Sequence, residues 1–185
     1  MKTDEEIQRF FLKHRIIDKI WLGSLPKHLQ ELQHRVIQAH AELDVDMLVR
    51  ILSQIRYEAG GVLSNEAWEV INPVIQQSLE AIPYMSKLSI IKSYGDVSEE
   101  LDRALVKVNS YRIEFAHPRT DFLLRKYNIK TSTGKIGLRD LARAIERAEG
   151  LFLEHTQNSE ACRFYVNKQI EIMEDRKKKA KVTKN

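Results

Sequence analysis

The chain has 185 residues, of which 43% are hydrophobic and 30% are charged, and its formal net charge is +4. This composition excludes a disordered chain, and the single cysteine excludes an internal disulfide framework and favours a reducing compartment. Apolar runs fall far short of the ~20 residues needed to cross a bilayer, so we expect a cytoplasmic protein with no membrane partner.

The first half of the chain has helical periodicity throughout, and Ser, Asp, Pro and Gly residues mark where helices begin or end. Asp44 and Asn72-Pro73 resemble helix caps within otherwise continuous apolar patterns, so they predict two helix boundaries. The predicted helices are residues 4–21, 26–43 and 45–59, a fourth that begins at residue 64 and breaks at Asn72-Pro73, and residues 83–94.

The most regular predicted helix follows these. Asp96-Val-Ser-Glu99 has the acceptor-x-x-Glu spacing of a capping box, which predicts the start of that helix. Pro118 ends it, because the residue before a proline avoids the α conformation. One apolar stripe runs along it in steps of three and four residues: Val97, Leu101, Ala104, Val108, Tyr111 and Phe115.

The last third begins with a short helical candidate over residues 119–127. Asn128 to Gly137 is polar and rich in turn residues, so we expect a loop there, followed by helices over 138–155 and 159–178. Strand alternation is absent, and the sequence predicts an all-α antiparallel helical bundle of about six to eight helices. We assign residues 1–173 to a single domain and residues 174–185, with six bases and two acids, to a basic, flexible tail.

Histidine spacing does not form a metal-binding pattern. His28, His34 and His40 are six residues apart, which on a helix turns each about 240° from the last, so they cannot share a cation. Thr131-Ser-Thr-Gly-Lys135 ends like a phosphate-binding loop, but it lacks the upstream glycine, and Ile136 stands where Ser or Thr must reach magnesium. We therefore predict an ordinary loop there, and neither a metal nor a cofactor.

An Arg-x4-His spacing occurs three times, at Arg9/His14, Arg35/His40 and Arg112/His117. Arg112 lies about 40° from Val108 on a helical wheel, within the apolar stripe, so we expect its guanidinium to be partly desolvated and to need an anionic partner. That partner is either a structural carboxylate or a bound phosphate. Pro118 turns the backbone directly after His117, which allows the imidazole to swing back toward Arg112.

Positive charge is concentrated beside this motif. Residues 117–139 carry six bases and one acid, a local charge of +5, whereas the chain outside this segment and the tail sums to −5. Such basic density, with Phe122 and Tyr127 nearby, suits a phosphate backbone with occasional base stacking. The alternative is a solvated loop that faces acidic helices of the same fold. The residues assigned to nucleic-acid binding are Arg119, Arg125, Lys126 and Lys130.

Residues 105–118, Leu-Val-Lys-Val-Asn-Ser-Tyr-Arg-Ile-Glu-Phe-Ala-His-Pro, resemble a core helix of the HEPN (higher eukaryotes and prokaryotes nucleotide-binding) superfamily. The resemblance implies an all-α bundle, often a homodimer, of the kind found in toxin–antitoxin and phage-defence systems. Active members are metal-independent endoribonucleases whose Arg and His meet across the dimer. Others have lost activity and serve as regulators or protein-interaction modules.

The resemblance implies that Arg112 and His117 are catalytic: Arg112 would hold the scissile phosphate, and His117 would exchange protons with the RNA. Asn109, one turn before Arg112, and Glu114, three residues before His117, are supporting candidates. Active members usually have a polar residue directly after the Arg, and this chain has Ile113. We expect RNA binding with metal-independent cleavage, and the alternative is a catalytically inactive regulator. The expected partners are a second copy, RNA and a cognate antitoxin or regulatory protein.

Overall fold

The computed structural model describes residues 26–60, 62–116 and 120–182, so the helix predicted for residues 4–21 lies outside the described residues. The described residues form seven helices and no strand, which confirms the all-α bundle. In chain order the helices are α1 (Lys27–Glu58), α2 (Asn65–Glu80), α3 (Tyr84–Ser93), α4 (Glu99–Ala116), α5 (Thr120–Lys126), α6 (Ser132–Asn158) and α7 (Glu160–Val182).

The long helix α1 is the centre of the bundle and contacts α2, α3, α4, α6 and α7. The predicted boundary at Asp44 is wrong, because α1 is one continuous helix of 32 residues. Residues 27–58 contain no Gly or Pro that would stop the helix. The Asp44 carboxylate does not act as a cap and instead forms an ion pair with Lys87 of α3 at 2.7 Å.

Ser64 begins α2 as predicted, and its Oγ accepts a hydrogen bond of 3.2 Å from a backbone N–H of the first turn. The predicted break at Asn72-Pro73 is wrong, because α2 continues through both residues. Pro73 is exposed, so water can hydrate the carbonyl that the missing proline N–H leaves unpaired. Trp68 before it and Leu79 after it are buried, so both halves of α2 pack on the bundle.

The turn from α3 to α4 contains Gly95, whose φ of +80° lies in the left-handed region that glycine adopts without strain. The predicted capping box is shifted by two residues, because Ser98 caps α4 and Asp96 does not. Asp96 forms an ion pair with Arg50 of α1 at 2.6 Å. Arg50 is buried, with its guanidinium also over the Tyr94 ring, so this buried cation determines the role of Asp96.

The apolar stripe of α4 packs against α1 and α6, as its periodicity predicts. At the C-terminal end of the stripe, the side-chain amide of Gln33 in α1 donates a 3.0 Å hydrogen bond to the Phe115 carbonyl. The described part of α4 reaches Ala116, and Pro118, where the sequence predicts the end of this helix, lies outside the described residues. The buried stripe residues, of which each large aliphatic one contributes about 1.5–3 kcal/mol to stability, are Leu101, Ala104, Val108, Tyr111 and Phe115.

The helix α6 begins earlier than predicted, so the expected loop from Asn128 to Gly137 is wrong over its second half. Thr131 caps α6, and its Oγ1 accepts a 3.1 Å hydrogen bond from the Gly134 N–H. A Cβ at Gly134 would lie 2.0 Å from the Asn128 carbonyl oxygen, which explains a glycine in this turn. At the other end of the chain α7 extends to Val182, so residues 174–182 of the basic tail are helical.

Candidate functional site

Arg112 lies near the C-terminal end of α4, and its side chain is exposed. Among the described residues no carboxylate forms an ion pair with it, because the acids of this region bind other cations. Glu114 pairs with Lys126 and Asp44 pairs with Lys87, each at 2.7 Å. The expectation that the Arg112 guanidinium is partly desolvated is therefore wrong.

The position at which α3 begins explains why the Arg112 side chain is exposed. Tyr84 is the first residue of α3, and its hydroxyl donates a 3.3 Å hydrogen bond to the Leu105 carbonyl of α4. Arg112 lies seven residues further along α4, a rise of about 10 Å, beyond the first residue of α3. The helical wheel places Arg112 on the side of the apolar stripe, but no residue of α3 extends far enough to cover it.

Beside Arg112, three side chains from three helices form a connected group. His40 Nε2 of α1 lies 3.2 Å from Asn109 Oδ1 of α4. The His40 ring stacks on the Tyr84 ring, with 4.3 Å between centroids and 24° between planes. The hydrogen bond from Tyr84 to Leu105 fixes the ring on which His40 rests. The chain of contacts therefore orients the Asn109 amide next to Arg112.

The surroundings of His40 favour its neutral imidazole form. Burial lowers its pKa from 6.5, the hydrogen bond with Asn109 acts in the opposite direction, and the positive charge of Arg112 lowers the pKa further. With the proton on Nε2, the ring donates to Asn109 Oδ1, and both N–H groups of that amide remain for another acceptor. Arg112 and Asn109 thus present only donors at an open surface, an arrangement that suits an anion.

A buried ion pair connects two of the helices that carry this group. Lys87 Nζ lies 2.7 Å from Asp44 Oδ2, and the Lys87 side chain is only 1% exposed. Both charges reach His40: Asp44 raises the pKa of the imidazole and Lys87 lowers it. The pair joins α1 to α3 near the contact between His40 and Tyr84, so it holds together the helices that carry the group.

Glu114, a predicted supporting residue, lies on another flank of α4. Its Oε2 accepts a 2.7 Å hydrogen bond from Lys126 Nζ. Burial raises the pKa of Tyr127, and the nearby Glu114 carboxylate raises it further. His117, whose ring Glu114 is expected to orient, lies outside the described residues. Glu114 thus pairs with Lys126 among the described residues, and its role beside His117 stays a prediction.

The predicted nucleic-acid-binding residues differ in their availability. Arg125 and Lys130 are exposed, and Arg119 lies outside the described residues. The Lys126 ammonium binds Glu114 and lies within 5.5 Å of the centroids of three rings, those of Tyr111, Phe122 and Tyr127. Lys126 is thus already engaged inside the fold.

Sequence reasoning missed His40 as a neighbour of Arg112. In the sequence His40 shares regular spacings only with Arg35 and with His28 and His34, which lie on the same helix, and Arg35 pairs with Glu149 of α6 at 2.9 Å. His40 and Asn109 are 69 residues apart, and no local pattern joins them. The sequence also left unpredicted three buried cations, each held by a partner elsewhere in the chain: Arg50, Arg56 and Lys87.

Within the part of the chain that the structure describes, no group of three or more His, Cys, Asp or Glu side chains is placed to hold a metal ion. The helices described there include none that is long and apolar enough to cross a membrane. Comparison with protein-family models, curated proteins and solved structures found no match to this chain.

Proposed function

We propose that this chain is a HEPN-like RNA-binding protein that cuts single-stranded RNA without a metal, in a toxin–antitoxin or phage-defence system. The observation that carries the proposal is the open position of Arg112, which has no carboxylate partner among the described residues and lies beside Asn109. The buried arginine Arg50, in contrast, is held in the fold by an ion pair with Asp96. An arginine that binds a substrate phosphate has to be reachable, as Arg112 is.

The pair of Arg112 and Asn109 suits a phosphodiester. The two residues are three positions apart on α4 and therefore lie on the same face, where their guanidinium and amide N–H groups can donate to one phosphate. His40 supports this role because it occupies the Asn109 oxygen and leaves the amide N–H groups outward.

The family resemblance supplies His117 as the second catalytic group. In the proposed reaction the imidazole removes the proton from a ribose 2′-hydroxyl, and that oxygen attacks the adjacent phosphorus. The bond from phosphorus to the 5′-oxygen breaks, and the leaving oxygen takes up a proton from the imidazolium. The products are a 2′,3′-cyclic phosphate and a 5′-hydroxyl. Arg112 offsets the charge that develops on the phosphoryl oxygens, and the resemblance implies that the two groups meet across a homodimer.

Cleavage of a labelled single-stranded RNA in EDTA tests the proposal. We expect the wild-type protein to cut it, His117→Ala to abolish the cut, and Arg112→Gln to slow it by about 10²–10³-fold. Arg163→Gln, a change of the same type at an exposed position on α7, is the matched control and should cut at the wild-type rate. Cleavage by His117→Ala at the wild-type rate would refute the catalytic role.

A second function, that of a catalytically inactive regulator, is favoured by Ile113. This residue follows Arg112 where active members usually carry a polar side chain, and it is 49% exposed. An exposed aliphatic residue beside the site suits contact with a cognate antitoxin or regulatory protein. This alternative predicts that the wild-type protein binds RNA without cutting it, and that Ile113→Asn gains cleavage.

A further inference from the structure

A groove with basic walls lies between α4 and α6, away from Arg112. Its volume is about 360 Å³. Four cationic and two anionic side chains line it, which makes its net charge +2. These residues are Arg103, Lys107, Arg143 and Arg147, with Glu100 and Asp140.

The cations of this groove are only partly neutralised. Arg147 forms an ion pair with Glu100. Arg103 lies 3.8 Å from Glu99, but both side chains are at least three-quarters exposed, so this pair contributes little. Lys107 and Arg143 form no ion pair with any residue that the structure describes. The groove therefore offers unpaired positive charge on both walls, Lys107 on α4 and Arg143 on α6.

Lys107 of the groove and Lys126 of α5 lie near the same aromatic ring. Lys107 Nζ lies 6.0 Å from the centroid of the Tyr111 ring, and Lys126 Nζ lies 5.5 Å from the same centroid. Lys126 is neutralised by Glu114, so Lys107 is the cation of this pair that forms no ion pair with a described residue. Arg103 and Lys107 are one helical turn apart, so the cations form a row along the side of α4.

We propose that this groove binds the phosphodiester backbone of single-stranded RNA, as a second contact surface separate from Arg112. The proposal rests on the RNA-binding function proposed above. Lys107 and Arg112 are five residues apart, which places them about 140° apart around α4. One RNA strand that contacts both therefore passes around the C-terminal end of α4. The groove supplies affinity without base specificity, and Arg112 receives the phosphate that is cut.

Salt-dependent RNA binding tests the groove, measured by the fluorescence anisotropy of a labelled oligouridylate. Each lost phosphate contact should reduce the slope of log affinity against log salt concentration by about 0.7, so Lys107→Gln/Arg143→Gln should reduce it by about 1.4. Lys27→Gln/Arg163→Gln removes the same charge from exposed sites outside the groove and should keep the wild-type slope. Lys107→Arg/Arg143→Lys keeps the charge and should also keep the slope.

The outcomes separate the groove from the cleavage site when His117→Ala is assayed in parallel. A wild-type slope in Lys107→Gln/Arg143→Gln overturns the groove, even where His117→Ala abolishes cleavage and so supports the proposed function. A reduced slope with no cleavage by the wild-type protein supports the groove and refutes the nuclease. Failure of the wild-type protein to bind the oligouridylate overturns both.

Discussion

Replacing Asp44 by Asn should destabilise the fold more than replacing Lys87 by Met, although both changes break the same ion pair. The Lys87 side chain is 1% exposed, whereas that of Asp44 is 31% exposed. Asp44→Asn leaves an ammonium group buried with no negative partner. Lys87→Met leaves a carboxylate that water still reaches, so its charge remains partly solvated.

The magnitude follows from the distance and the exposure. At 2.7 Å and an effective dielectric constant of ~20, the two charges attract by about 6 kcal/mol before the cost of dehydrating them. Removing one partner of a buried pair costs about 3–5 kcal/mol, the range expected for Asp44→Asn. For the partly hydrated Asp44 left by Lys87→Met we expect about 1–3 kcal/mol.

Urea unfolding of both single variants and the double variant measures these terms. With a slope of about 2–3 kcal/mol per molar urea, Asp44→Asn should lower the midpoint by about 1–2.5 M. The double variant should recover much of this loss, because neither charge is then left alone. Asp44 Oδ1 is buried and accepts no hydrogen bond from the described residues, so the native pair is itself imperfectly compensated. Equal losses below about 1 kcal/mol in both single variants, as for a surface pair, would refute the reasoning.

Two further predictions concern His40 and the glycines of α6. Because burial lowers the pKa of His40 below 6.5, the unfolded chain binds a proton at higher pH than the folded chain, so stability falls as the pH drops below about 6.5. His40→Gln should flatten this fall in urea midpoints measured on both sides of that pH, and an unchanged slope would contradict the assignment. Gly134→Ala should lower the thermal midpoint, because its Cβ would meet the Asn128 backbone at 2.0 Å, at a cost of about 1–3 kcal/mol. Gly150→Ala, in the same helix with nothing within 4 Å of its Cβ, should raise the midpoint by the equivalent of about 0.5–1 kcal/mol, and shifts of the same sign in the two variants would show that the contact is not the cause.

Helix content was predictable because periodicity and caps are local. The stripe of α4, the Ser64 cap and the turn at Gly95 follow from residues within one or two turns of each other. The errors at Asp44 and Asp96 have a common cause. Both aspartates were expected to cap helices, and both are bound by buried cations from helices distant in sequence. A local cap contributes about 1 kcal/mol, less than the cost of leaving such a cation unpaired.

The candidate site was predictable in part. The sequence was sufficient to place Arg112 on the face of the α4 stripe and Asn109 one turn before it. It was insufficient to predict that Arg112 is exposed, because that depends on where α3 begins. It also gave no reason to connect His40 with Asn109, since contacts between residues 69 positions apart depend on how α1 and α4 pack.

The distribution of positive charge follows from the sequence, whereas the availability of each cation follows from the tertiary structure. The sequence alone determined that positive charge is concentrated after α4 and in the last helix. Only the tertiary structure decided which cations are available: Lys126 is engaged by Glu114 and three rings, whereas Arg112, Lys107 and Arg143 form no ion pair with any described residue. The physical reason is that charge is a property of each residue, whereas its neutralisation depends on which helices pack together and where they end.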